Sequence, residues 1–138
     1  MPHVHINYLA VLVSALAAFA LGGLWYSPLL FAKIWVKAHG YTDEQVQQMQ
    51  KSAGKAYAVS ALCQFVIALT IAVLVGYLHM ARCVQGLKLA LLLWAGFAFP
   101  LGLMANMFSE KRISVFLIDT GYQLVYLLII GAIITVWQ

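Results

Sequence analysis

The sequence predicts an all-α fold, an integral membrane four-helix bundle with a short amphipathic interfacial helix between spans one and two. Three observations predict it. Apolar residues make up 64% of the 138-residue chain and charged residues 9%, more apolar surface than a soluble core of this size hides. Charges are absent from Met1 to Ala32, from Ala56 to Ala81 and from Leu89 to Ser109, and Ile113 to Gln138 carries only Asp119. Each stretch reaches the roughly 20 residues a helix needs to cross a ~30 Å hydrocarbon layer. These long continuous runs also lack the two-residue alternation of a membrane barrel. Four spans use nearly the whole chain, so residues 1–138 read as a single four-span transmembrane domain.

Span one lacks a basic leading segment and an Ala-x-Ala-like exit, so it is expected to stay as a helix and not to be cleaved as a signal peptide. Ser14, Ala18 and Gly22 repeat every four residues on one of its faces, with Asn7, Val11 and Trp25 continuing the face. Such a stripe lets another backbone approach closely, either span four of the same chain or span one of a second copy.

The loop after span one is long enough to have structure of its own. Ser27 and Pro28 read as an N-cap and first helical position, and Leu30, Phe31, Ile34, Trp35 and Ala38 then share a face that leaves Lys33 and Lys37 off it. Gly40 supplies a stop. A helix with an apolar face and a basic edge belongs in the headgroup layer, as a surface anchor more than as a substrate gate. Thr42 with Gln45 makes a capping box, Asp43 and Glu44 suit a first turn, and Val46, Met49 and Ala53 give a second amphipathic stretch that is expected to run into span two.

Orientation follows from the basic residues. Lys33, Lys37, Lys51 and Lys55 lie between spans one and two, and Lys111 and Arg112 between spans three and four, against Arg82 and Lys88 on the other side. The positive-inside rule puts the Lys-rich loop in the cytoplasm and both termini outside it, in what reads as a bacterial inner membrane.

Polar residues within the spans converge on one depth. Asp119, Tyr122, Gln123 and Tyr126 share a face of span four, and Tyr57, Ser60 and Gln64 share one of span two. Counted from Arg112, Asp119 lies roughly 10 Å deep and Gln123 roughly 16 Å. Gln64 falls at a similar depth, and Asn106 sits near the same end of span three. A shared internal cluster in the cytoplasmic half is expected, with Asp119 its costliest member, because an acid at membrane depth persists mainly where it faces a bundle interior, a partner or a water-filled cavity. No basic residue lies in any apolar core, so an ionised Asp119 needs a cation, a proton or water beside it. Glutamine, asparagine and tyrosine in membrane bundles also serve simply to tie helices together. Pro100, near the middle of span three, removes a helical hydrogen bond to the Gly96 carbonyl and predicts a bend there. Trp94, Tyr122 and Tyr126 lie too deep for the interfacial belt, whereas Tyr8, Tyr77 and Trp137 sit where belt residues belong.

The element Gly23-Leu24-Trp25-Tyr26-Ser27-Pro28, followed by Leu29, Leu30 and Phe31, carries a family resemblance, supported by Asn7-Tyr8-Leu9-Ala10, Gly54-Lys55-Ala56-Tyr57 and Asp119-Thr120-Gly121-Tyr122. The chain resembles the integral membrane family catalogued as domain of unknown function 1761, small four-span proteins of bacteria and fungi. The resemblance implies the four-span fold and singles out Trp25, Tyr26, Ser27 and Pro28 as an interfacial motif; it brings no activity and no catalytic residues. The family pattern often has Asn where this chain has Asp119 and His where it has Gln123.

His3, His5, His79 and Cys83 fall on the predicted outer side, a set with some copper or zinc character, but terminal histidines are usually solvated and no metal site or cofactor is assigned. Some 30 Å of helix separates Cys63 from Cys83, which excludes a disulfide between them. No nucleophile elbow, phosphate-binding loop, His-Glu-x-x-His or paired-carboxylate motif is present, so no enzyme is expected. The +4 net charge is explained by topology, not by nucleic acid. Two classes remain: an oligomeric transporter, channel or carrier binding a cation or small polar solute around Asp119, with a homodimer or trimer supplying the path, or a non-transporting lipid-binding or membrane-complex subunit without catalytic activity.

Overall fold

The chain folds, in a computed structural model that describes residues 4–109 and 112–138, as α-helices joined by short turns, with no strand among the described residues. Helix α1 is Tyr8–Trp25, α2 Ala32–His39, α3 Asp43–Lys51, α4 Ala53–Tyr77, α5 Cys83–Leu93, α6 Phe99–Phe108 and α7 Ile113–Val136. A π-helical turn, Trp94–Ala98, joins α5 to α6 into one continuous third span. The four spans are therefore α1, α4, α5–α6 and α7, each long and apolar enough to cross a membrane. His3 and Lys111 lie outside the described residues.

Local sequence explains where the helices begin. Asn7 caps α1, its Oδ1 accepting from the N–H groups of Leu9 and Ala10 at 3.1 and 3.2 Å, while its Nδ2 donates to the Trp137 carbonyl at 3.3 Å. One side chain thus starts the first span and holds the end of the last. The capping box predicted for α3 is formed, with Thr42 N–H donating to Gln45 Oε1 at 2.8 Å and Gln45 N–H to Thr42 Oγ1 at 3.3 Å. Helix α3 leads into α4 with a break at Ser52, whose hydroxyl donates back to the Gln48 carbonyl. Gly40 ends α2 at φ 73°, the left-handed stop the sequence predicted.

The start of α2 differs from expectation. Ser27 does not cap it: its hydroxyl is spent on the Leu24 carbonyl at 2.6 Å, and its own carbonyl accepts from Leu30 and Ala32. Residues 27–31 are a tight turn that folds the chain back under α1, with Phe31 N–H on the Trp25 carbonyl, and the helix begins only at Ala32. The helix is amphipathic as predicted, with Lys33 and Lys37 exposed, but Trp35 turns inward while Ile34 stays exposed.

Helix α7 stands in the middle of the bundle. It packs against α1 and α4 on one side and against α5, the π turn and α6 on the other, and α2 reaches it from below. Between membrane helices the association comes from close packing and interhelical hydrogen bonds, because lipid is as apolar as leucine. Small residues supply the packing. Ser14 and Ala18 are fully buried, and a Cβ on Gly22 would lie 2.7 Å from the Tyr122 hydroxyl, so the predicted stripe on α1 receives α4 and α7 of the same chain. Backbones come closest where α5 crosses α7, with Gly86 and Gly131 facing each other.

Where Pro100 predicts a bend in span three, the structure has the π turn. Ahead of Pro100, which has no N–H to give, Phe99 N–H reaches five residues back to the Trp94 carbonyl. The helix widens by one residue there and turns Trp94 toward α7.

Candidate functional site

Asp119 sits on α7 close to the end that carries Trp25, Lys55, Ser109 and Arg112, here termed the basic end. Its neighbours come from three directions. One carboxylate oxygen, Oδ1, accepts the Tyr26 hydroxyl at 2.6 Å and the Trp35 indole N–H at 3.3 Å. The tight turn after α1 is what permits this. By reversing the chain within residues 27–31, it brings Tyr26 and, nine residues later, Trp35 to the same oxygen.

The backbone on either side of Asp119 is also held. The Trp25 indole donates to the Ile118 carbonyl at 3.0 Å, and the Trp94 indole donates to the Thr120 carbonyl at 2.9 Å and to Thr120 Oγ1 at 3.2 Å. These two indoles reach α7 from the end of α1 and from the π turn, so they fix its rotation at the acid. A Cβ on Gly121 would lie 3.3 Å from the Trp25 ring, which leaves Trp25 little room to be elsewhere.

One turn deeper, the Tyr122 hydroxyl joins three helices. It donates to the Ala18 carbonyl of α1 at 2.7 Å and accepts from Gln64 Nε2 of α4 at 2.8 Å. Tyr122 also meets Tyr26 and Tyr126 edge-to-face, with ring centroids 5.6 and 4.8 Å apart. Toward the basic end, Trp35 extends the aromatic layer to His39 at 4.1 Å, and His39 stacks on Tyr41 at 4.8 Å. The acid is half-buried, and the aromatic side chains that touch it do so through their O–H and N–H donors.

Two acceptors in this region have no partner among the described residues. Gln64, only 7% exposed, uses its amide nitrogen on Tyr122 but leaves Oε1 unbonded; Gln123 Oε1, on the residue one turn beyond Asp119, is buried and unbonded as well. A buried acceptor without a donor costs about 1–3 kcal/mol.

The predicted cluster is therefore assembled in part. Gln64 and Tyr126 meet Tyr122, and Tyr26 links Tyr122 to Asp119, while Gln123 lies on the same helix one turn from the acid. Tyr57 does not join them: it is 60% exposed and meets only the edge of Phe19, ring centroids 6.3 Å apart. Spacing put Tyr57 on the face of Gln64, but α1 and α7 cover α4 only from Gln64 onward, which leaves its first turns at the rim. Asn106 is buried on α6 one turn past Gly102, the residue whose position meets the Phe116 ring. That register sets it about 10 Å along the axis from Asp119, nearer the basic end. Within the Trp25-Tyr26-Ser27-Pro28 motif, Trp25 and Tyr26 grip α7 and Ser27 shapes the turn, so the motif docks the end of the first span onto the last.

Sequence reasoning missed Tyr26 and Trp35 as partners of the acid, and it placed Trp94 below the interfacial belt without seeing that its indole ties span three to α7. The available signal was the density of indoles and phenols beside a lone acid, since each carries a donor that must be satisfied when buried. Among the described residues no group of three or more His, Cys, Asp or Glu side chains gathers as a metal site would require.

No curated protein and no solved structure matches this chain. The family model described as protein of unknown function, DUF1761, matches residues 9–135, nearly the full length, and with the four spans in place the chain belongs to that family.

Proposed function

We propose that the protein is a small membrane transporter, channel or carrier that binds a cation at Asp119, in the half of the bilayer next to the basic end. One observation carries this reading: a carboxylate in a span that itself carries no Lys or Arg, and without an ion pair among the described residues, is held by two neutral donors, the Tyr26 hydroxyl and the Trp35 indole. Neutral donors orient a carboxylate without cancelling its charge, so the site keeps an affinity for a positive ion. The basic residues Lys33, Lys37, Lys51, Lys55 and Arg112 gather at the same end, which favours that end facing the cytoplasm and both termini facing away from it. A homo-oligomer supplies the path, because α5–α6 is the least buried of the spans and presents Leu92, Phe97, Leu101 and Met104 outward.

The test is flux. Purified protein in liposomes is expected to carry a cation-dependent or proton-dependent flux that Asp119→Asn reduces at least tenfold, while the variant stays folded. Flux untouched by that change removes Asp119 from the mechanism.

A second reading, a non-transporting lipid-binding or complex-forming subunit, is favoured by a different observation. Three of the polar side chains here, Trp25, Trp94 and Tyr122, donate to backbone carbonyls of other elements, which is the pattern of structural ties. It predicts co-purification with a defined lipid or a larger complex and no flux.

A further inference from the structure

We infer that the outward face of α2, with the turn before it, binds an anionic phospholipid in the leaflet at the basic end; the inference stands apart from the cation reading of Asp119. Span one is short. Its 18 residues rise about 27 Å, slightly less than the ~30 Å hydrocarbon layer it crosses. The Trp25 indole at its end meets the Ile118 carbonyl, and from that level α7 runs on to Ile113, about 8 Å further. Helix α4 runs further still, from Gln64 at the level of Tyr122 down to Ala53, about 16 Å away. The turn at residues 27–31 and α2 therefore fill the step beneath the short span, at the boundary between hydrocarbon and headgroups.

Trp35 sets the rotation of α2 in that step. Its indole donates to Asp119 Oδ1 at 3.3 Å and its ring meets Tyr26 at 6.1 Å, so the side of the helix that carries it is turned to the bundle. The opposite side carries charge and apolar surface together. Lys33 and Lys37 stand exposed one turn apart with Ile34, 54% exposed, beside them, and Leu29 and Leu30 in the preceding turn are 84% and 45% exposed. No acid precedes Asp43 in the chain, and neither lysine makes an ion pair among the described residues.

A single ligand answers both features. Apolar side chains at this boundary gain by entering the acyl region, while lysine stems lie along apolar surface and carry their ammonium groups up to the phosphates. A free phosphate satisfies the lysines but leaves Leu29, Leu30 and Ile34 uncovered. A zwitterionic lipid covers them, but its own cationic group offsets its phosphate. A headgroup of net negative charge on two acyl chains meets both needs, since each lysine near a charged leaflet adds its own attraction.

The experiment is native mass spectrometry of the full chain released from nanodiscs of equal parts phosphatidylglycerol and phosphatidylcholine, counting the lipids each molecule retains. The inference expects about tenfold more phosphatidylglycerol than phosphatidylcholine, within what two lysines at a charged surface supply. Lys33→Gln with Lys37→Gln is expected to bring the ratio down to about twofold or less. Lys33→Arg with Lys37→Arg keeps it, and so for the most part does Lys51→Gln with Lys55→Gln, which removes the same charge from the end of α3 and the start of α4. Equal retention of the two lipids by the wild-type protein overturns the inference. An equal loss from both glutamine pairs also overturns it, by assigning the attraction to the basic end as a whole. Release of phosphatidylglycerol by inorganic phosphate overturns lipid as the ligand and leaves a free-anion site.

Discussion

The two halves of the bundle are held in different ways. In the half near the termini, polar side chains within the spans bond to their own helix: Ser14 donates to the Val11 carbonyl at 3.0 Å and Thr135 to the Gly131 carbonyl at 2.7 Å. Cohesion there comes from contact, with Val11, Ile71, Val75 and Ile130 fully buried and Gly86 against Gly131. In the half near the basic end, Trp25, Tyr26, Trp35, Gln64, Trp94 and Tyr122 all reach across to another element. The first half is specified by the absence of side chains and the second by their donors. The lesson is that adding atoms breaks one half, and removing a single polar atom weakens the other.

The largest effect is expected from Gly86→Leu. A Cβ at that position already meets the Gly131 carbonyl and Thr135, both part of a helix that cannot retreat, so the loss is about 3 kcal/mol or more, read as a large drop in detergent melting temperature. Survival of the variant at wild-type stability breaks the contact account of the terminal half. Tyr122→Phe comes next, because it removes the donor to Ala18 and the acceptor for Gln64 while keeping the ring packing. It is expected to cost about 1.5 kcal/mol. Trp94→Phe exchanges the indole for a smaller ring and gives up the bond to Thr120, for a loss of about 1 kcal/mol in the same assay. Tyr57→Phe is the smallest, under about 0.5 kcal/mol, since its ring lies at an exposed rim. A Tyr57 effect as large as that of Tyr122 restores the wider polar face that spacing alone suggested.

Much of this was legible in the sequence, for identifiable reasons. Charge-free stretches gave the spans, because charge at membrane depth is too costly to be accidental. Thr42 and Gln45 gave a helix start, because a capping box is local. Ser14, Ala18 and Gly22 gave the close face of α1, and helical spacing brought Asp119, Tyr122 and Tyr126 together. The bonds on Asp119 were not legible. They depend on how residues 27–31 reverse the chain, and they join positions 84 and 93 residues apart. Ser27 and Pro28 look like a helix start, and only the competing bond from Ser27 to Leu24 turns them into a bend. Periodicity also says nothing about how far a neighbour extends along a face, which is why Tyr57 was grouped with Gln64.

The same contrast underlies the proposed function. The contact-sealed half has little chemistry to offer, whereas the donor-rich half surrounds an acid that no basic side chain within the spans pairs. The measurement that tests this most directly is the capacitive current on a solid-supported membrane loaded with the protein, recorded on a rapid step in cation concentration or pH. The account predicts a transient inward displacement of positive charge that is lost in Asp119→Asn and retained in Tyr57→Phe. A current of equal size in Asp119→Asn, or none in the wild-type protein, contradicts it.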